Sequence, residues 1–174
     1  MHSSPLKIAL TGTESTGKTT LTQQLAAHFD ASFELEYARE YLQNIGLNYS
    51  KQDVLNIAAG QLDKIKNFKD GSKNIIFFDT ELIVSKIWFK HRYGYSDPSI
   101  EKYIELQKID LFLLCAPDIG WQPDPLREHA AESQSLFECF ENELQSYHFN
   151  YKIVRGSGEE RLKNAIQIIV DFLG

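Results

Sequence analysis

The chemistry-bearing residues of this chain begin with Gly12-Thr13-Glu14-Ser15-Thr16-Gly17-Lys18-Thr19, followed by Thr20. The spacing is G-x-x-x-x-G-K-T. In this pattern the glycines let main-chain N–H groups turn inward around phosphate oxygens, and the helix that follows offers its positive end to the same anion. Lys18 is expected to reach the β- and γ-phosphates of ATP and Thr19 to ligate Mg²⁺, with Gly12 through Thr20 as the nucleotide-binding run. A second carboxylate is expected on the metal or on the acceptor. Asp79 is placed for it, because it ends the apolar run Ile75-Ile76-Phe77-Phe78 and the carboxyl ends of strands face the ligand crevice in open α/β sheets. Asp79 is also placed to N-cap a helix starting near Glu81, and the two roles are compatible. The run Asp79-Thr80-Glu81-Leu82 lacks D-x-x-G spacing, and no N-K-x-D motif occurs, which argues against a GTPase switch and for ATP as donor.

Just past a second apolar run lies Glu36-Tyr37-Ala38-Arg39-Glu40-Tyr41. A kinase needs a carboxylate within reach of the attacking hydroxyl and an Arg to hold that carboxylate or an incoming phosphate. Glu36 and Arg39 can supply both; a plain helix start with Glu36 at its positive end reads equally well from the residues alone. Which of Glu14, Glu36 and Asp79 is the base stays open. Farther on, Ala116 to Pro125 is rich in Pro and Gly and reads as a small lid carrying Trp121 and Asp124, with Arg127 just beyond. An Arg brought over the moving phosphoryl group, with water excluded, gains rate by electrostatics. Arg127 is the candidate, and an ordinary surface Arg is the alternative. The segment Arg155-Gly156-Ser157-Gly158-Glu159-Glu160-Arg161 reads either as an edge for the adenine ring or as a capped turn.

The elements that must position these residues follow from periodicity. Short apolar runs at Leu6 to Leu10, Phe33 to Leu35, Ile75 to Phe78, Leu111 to Cys115 and Tyr151 to Val154 alternate with segments of helical spacing. That alternation predicts a parallel five-stranded α/β sheet with helices on both faces. Leu21, Leu25 and Phe29 predict a helix that begins inside the phosphate loop, and a further helix is expected around Ser133 to Tyr147. In the final segment Leu162, Ile166, Ile169 and Leu173 fall on one face and Glu160, Lys163 and Asp171 elsewhere, so this helix is expected to cover the sheet.

With 174 residues and 43% hydrophobic content, one domain spanning residues 1–174 is expected. A net charge of -6 disfavours a nucleic-acid or anionic-membrane surface and points to small-molecule partners. No stretch stays apolar for the ~18 residues of a membrane span, and a cytoplasmic location is the default. Cys115 and Cys139 have no metal-ligand spacing and are read as buried packing residues in a reducing compartment. The oligomeric state is not readable.

Taken together, G-T-E-S-T-G-K-T-T, E-Y-A-R-E-Y, F-F-D-T and W-Q-P-D-P-L-R resemble the ribosylnicotinamide kinase domain of NadR-type NAD-biosynthesis proteins, in family order and over most of the chain. The resemblance implies a P-loop nucleoside-kinase fold with the phosphate-loop strand central, and transfer of the γ-phosphate of ATP to the 5′-hydroxyl of nicotinamide riboside. It assigns Glu36, Tyr37 and Arg39 to the acceptor segment, Asp79 to the strand-end acid, and Trp121, Asp124 and Arg127 to the lid. The nicotinamide ring is a cation, which an aromatic face such as Tyr37, Trp88 or Trp121 suits. Two departures stand out. Lids of this family often carry a further Arg, whereas Ala130-Ala131-Glu132-Ser133-Gln134 has none, and the chain shows neither an H-x-G-H adenylyltransferase signature nor a DNA-binding segment. The alternatives are another nucleoside or deoxynucleoside kinase, and a non-catalytic module that binds ATP.

Overall fold

The structure, a computed structural model, describes residues 4–68, 73–119 and 133–174. Five strands, β1 (Leu6–Thr11), β2 (Ser32–Glu34), β3 (Ile75–Asp79), β4 (Leu111–Cys115) and β5 (Tyr151–Val154), form one sheet in the order β2-β3-β1-β4-β5. Every pairing is parallel, and β1 lies at the centre. Parallel strands need helical crossovers, and these are supplied by α1 (Lys18–His28), α2 (Tyr37–Ile45), α3 (Lys51–Asn67), α4 (Leu82–Tyr93), α5 (Pro98–Leu106) and α6 (Ser133–Ser146), while α7 (Gly158–Leu173) follows the last strand.

Because successive strand residues point to opposite faces, the apolar runs divide between two cores. Ile8, Leu10, Phe77, Leu111, Leu113 and Cys115 pack with Leu21 and Leu25 of α1 and Ala165 and Ile169 of α7. Ala9, Ile76, Phe78, Phe112 and Leu114 pack on the other face with α3, α4, α5 and α6. Strands buried on both faces explain why the runs read as continuously apolar rather than alternating.

The predicted strands and the α1 and α6 positions agree with the structure to within a residue or two. Three details differ. The buried line of α7 runs through Arg161, Ala165 and Ile169, with Leu162 and Ile166 beside it, while Leu173, the last residue of the helix, is 54% exposed. Cys139 is exposed rather than packed, since it falls on the outer side of α6 between the inward-facing Phe137 and Phe140. The helix after β3 is capped by Glu81, whose side chain accepts from the Ile83 N–H, and not by Asp79. Among the described residues no helix is long and apolar enough to cross a membrane.

Candidate active site

Strand register brings the carboxyl ends of β1, β3 and β4 to one edge. Leu10 pairs with Asp79 and Thr11 with Leu114, so the turn that follows Thr11 starts between the ends of two neighbours. Gly12 is required there: at φ 123°, a Cβ would come within 2.9 Å of the Cys115 carbonyl oxygen. The loop then turns back into α1 through Gly17 in the left-handed region at φ 74°. The first turn of α1 has no acidic residue, leaving its positive end for an anion.

Within the loop Lys18 Nζ donates to the carbonyls of Gly12 at 3.0 Å and Thr13 at 2.5 Å, closing the ring that would surround a phosphate. Thr16 Oγ1 donates to the Thr13 carbonyl at 2.9 Å. The Thr13 hydroxyl is buried and has no hydrogen-bond partner among the described residues, a cost that a phosphate oxygen would remove. Thr19 Oγ1 donates to Asp79 Oδ2 at 2.5 Å. A hydroxyl and a carboxylate beside a phosphate cradle fit Mg²⁺, which takes one or two protein oxygens and completes its shell with phosphates and water. Of the predicted run, Gly12 through Thr19 line the cleft; Thr20 does not, and its side chain is exposed on the outer face of α1.

Glu36 and Arg39 enter the same cleft from the start of α2. Their placement depends on Gln61 of α3, whose Oε1 accepts from the Tyr37 N–H at 3.0 Å and whose Nε2 donates to the Thr80 carbonyl at 3.4 Å. One buried amide thus holds the segment after β2 against the segment after β3. Glu36 keeps a partial opening to solvent through the cleft, yet protein surrounds it on most sides. Burial and then the neighbouring Asp79 push its carboxyl from the ordinary 4.5 up to about 7, against the opposing pull of Lys18 and Arg39. A carboxyl titrating near neutrality, beside a phosphate loop and a metal-type oxygen pair, suits a proton acceptor for an incoming hydroxyl.

The cleft is open to solvent and continues into an apolar wall. Val84, Ile87, Trp88 and His91 come from one face of α4, Leu136 and Phe140 from α6, and Leu47 and Tyr49 from the α2–α3 connection. Trp88 Nε1 donates to the Tyr49 hydroxyl at 3.0 Å and Arg92 Nη1 to the same oxygen at 3.2 Å, with the guanidinium 4.4 Å from the Tyr49 ring centre. Helix α6 is tied to α4 and α5 by Lys86, whose buried ammonium pairs with Glu143 at 2.7 Å and Glu101 at 3.1 Å.

Tyr37, expected on the acceptor side, is not among the residues lining the cleft. Its ring turns away from the cleft onto α3, where it covers Gly60 and lies under Lys64, 5.5 Å from the ammonium to the ring centre. The missing side chain of Gly60 leaves room for the ring, since a Cβ there would overlap it. Trp121, Asp124 and Arg127, the lid residues, lie outside the described residues, as do Ala130, Ala131 and Glu132.

Residues that sequence reasoning missed fall into two groups. Tyr49, Leu47, Leu136 and Phe140 carry no motif, although the i, i+3, i+4, i+7 spacing of Val84, Ile87, Trp88 and His91 marks one helical face. Glu81 is the other omission: it accepts from Thr11 Oγ1 at 2.7 Å, the Ile83 N–H at 2.8 Å and Gln107 Nε2 at 3.2 Å. Burial raises its pKa, and it fixes the end of β1 one residue before the phosphate loop.

Comparison with known proteins agrees with this geometry. A family model described as AAA domain matches residues 7–161. The trifunctional NAD biosynthesis/regulator protein NadR of Salmonella typhimurium is 25% identical over 180 residues, covering 96% of this chain and 42% of that protein. NadR of Escherichia coli is 30% identical over 126 residues, covering 69% of this chain and 30% of that protein. The chain therefore spans less than half the length of the curated relatives it matches. A crystal structure of a NadR protein in complex with NR aligns with a TM-score of 0.79 at 24% identity, over 98% of this chain and 51% of that one. The structure of deoxyadenosine kinase from M. mycoides aligns with a TM-score of 0.68 at 16% identity, over 95% of this chain and 100% of that one. At these identities the solved structures speak for the fold, which is that of P-loop kinases, and the resemblance read from the motifs is borne out by the relatives.

Proposed function

The chain belongs to the AAA domain family of the matching model, and from that premise we propose that it is an ATP-dependent kinase that phosphorylates the 5′-hydroxyl of nicotinamide riboside to nicotinamide mononucleotide. One observation carries the reading: the phosphate loop, the Thr19–Asp79 pair and the near-neutral Glu36 carboxyl converge on one cleft whose far wall is aromatic. A pure nucleotide sensor has no need of the second half.

In this reading Lys18 and the loop N–H groups hold the β- and γ-phosphates of ATP, Lys18 leaving the carbonyls of Gly12 and Thr13 to do so. Thr19 and Asp79 would hold Mg²⁺, which would supply charge neutralisation for phosphoryl transfer. Glu36, ionised above about pH 7, accepts the proton of the attacking hydroxyl, and Arg39 keeps that carboxylate oriented. Trp88 and Tyr49 offer faces to the cationic ring, with the acids at the cleft supplying complementary charge. From the sequence pattern, Arg127 stabilises the transferring group and Trp121 and Asp124 complete the acceptor side. The relatives' names support the choice of nicotinamide riboside, and the reaction belongs in the cytoplasm, carried by a single domain.

The test is acceptor-dependent ADP release with Mg-ATP. Nicotinamide riboside is expected to be converted to the mononucleotide, and Lys18→Ala to remove the activity. No release with nicotinamide riboside alongside turnover of a deoxynucleoside would reassign the chain to general nucleoside phosphorylation, and ATP binding without release for any acceptor would make it a sensor.

A further inference from the structure

Arg161, in the first turn of α7, is only 3% exposed, and a buried cation is costly unless its surroundings satisfy it. Here it donates to four acceptors drawn from three segments. Nε reaches the Gly156 carbonyl at 2.7 Å, Nη1 the Thr16 carbonyl at 2.9 Å, and Nη2 the Ala116 carbonyl at 2.8 Å and the Asp118 carboxylate. The other oxygen of Asp118 accepts from the Gly156 N–H at 2.7 Å. One guanidinium therefore joins the phosphate loop, the chain leaving β4 and the β5–α7 turn.

The contact with Thr16 has a directional consequence. In a trans peptide the C=O and the following N–H point in opposite directions, and none of the described peptide bonds is cis. A Thr16 carbonyl drawn toward Arg161 turns the Gly17 N–H the other way, toward the concave side that Lys18 closes. The chain leaving β4 is close enough to feel this setting, since a Cβ on Gly17 would lie 3.3 Å from Ile119 Cδ1.

We propose that Arg161, held by Asp118, is a positioning residue for the nucleotide: it presets the Thr16–Gly17 peptide so that its N–H faces the phosphates. This rests on the reading of Gly12 to Thr19 as an ATP cradle and assigns a residue behind that cradle which never touches the ligand. The role requires the planar fork rather than charge alone, because a lysine ammonium cannot span carbonyls on three segments.

The experiment measures ATP affinity by calorimetry on the whole chain with Mg²⁺, and the KM for each substrate, for wild type, Arg161→Lys and Asp118→Asn, all well below their melting temperatures. Arg161→Lys is expected to weaken ATP binding by about tenfold and Asp118→Asn by roughly threefold, the scale of one or two charge-assisted hydrogen bonds. The acceptor KM should stay within about twofold of wild type, since nothing in this cluster reaches the α4 wall. ATP affinity unchanged from wild type in Arg161→Lys, whatever its stability, would overturn the proposal, as would a parallel rise in the acceptor KM. If Arg161→Lys does not fold, the partly exposed Asp118→Asn decides alone. A wild-type chain that binds no ATP would remove the cradle reading itself, an outcome separate from variants that bind as well as wild type.

Discussion

Replacing Glu36 by Gln should make the protein more stable and less active, both in amounts that the structure sets. The folded state holds the Glu36 proton up to about pH 7, against an ordinary 4.5 for the unfolded chain. The favourable contribution of this proton is therefore fully present below pH 4.5 and is lost as pH rises through 7. At about 1.4 kcal/mol for each tenfold difference in proton affinity, that loss is about 3 kcal/mol by pH 8. Gln keeps the shape of the protonated acid and never ionises. Glu36→Gln should thus melt with wild type at pH 4.5 and roughly 5–10 °C above it at pH 8, by the entropy scale of a chain this size. In the same variant kcat/KM for the acceptor should fall about 10²–10⁴-fold, and the wild-type profile should rise with pH through an inflection near 7. Differential scanning calorimetry at the two pH values and a pH–rate profile check both halves. A Gln variant no more stable than wild type at pH 8 would refute the buried-charge argument, and an unaltered rate would refute the base.

Further substitutions probe the supports of the site. Thr19→Ala removes the hydroxyl bonded to Asp79 and should raise the Mg²⁺ concentration for half-maximal activity by about tenfold, one coordinating oxygen's share, with little change in melting temperature. Gly60→Ala puts a methyl group into the space of the Tyr37 ring and should cost about 1–3 kcal/mol by urea denaturation, with a raised acceptor KM because α2 carries Arg39. Glu81→Ala strips the acceptor from Thr11, Gln107 and the first turn of α4 and should cost about 2–4 kcal/mol in the same assay.

The sheet was legible because both of its faces are covered. Ile75 to Phe78 and Leu111 to Cys115 are buried almost throughout, so their apolar runs stand out against the helical segments without any need of alternation. Helix ends were less legible, for reasons local to each. Glu81 caps α4, two residues beyond Asp79, because Thr80 at φ 71° lies outside the helical region that the residue after an Asp79 cap would have to adopt. Leu173 has the right spacing for the α7 stripe, yet it is the last residue of the helix and exposed, and spacing does not say how far along a helix its packing extends.

The two ends of the cleft differ in how far they can be read, and the cause is the kind of recognition each performs. Phosphates are held by main-chain N–H groups, so the chain must pass through fixed conformations at fixed spacing, and Gly12, Gly17, Lys18 and Thr19 leave a contiguous trace. The acceptor wall is assembled from side chains on α4, α6 and the α2–α3 connection. A large apolar residue at those positions also suits packing, so Tyr49 and Phe140 look like packing until the fold places them on the same cleft as Trp88. Tyr37 shows the converse: it stands next to Glu36 in the motif, but the absent side chain of Gly60 draws its ring to the other side of the helix. Residues that act through a third element leave the least trace. Gln61 aligns Glu36 with Asp79, and Arg161 reaches back to Thr16 across most of the chain. Neither has a neighbour in sequence that announces the contact, which makes the supporting residues, more than the phosphate loop, the place where substitutions in this chain will be most informative.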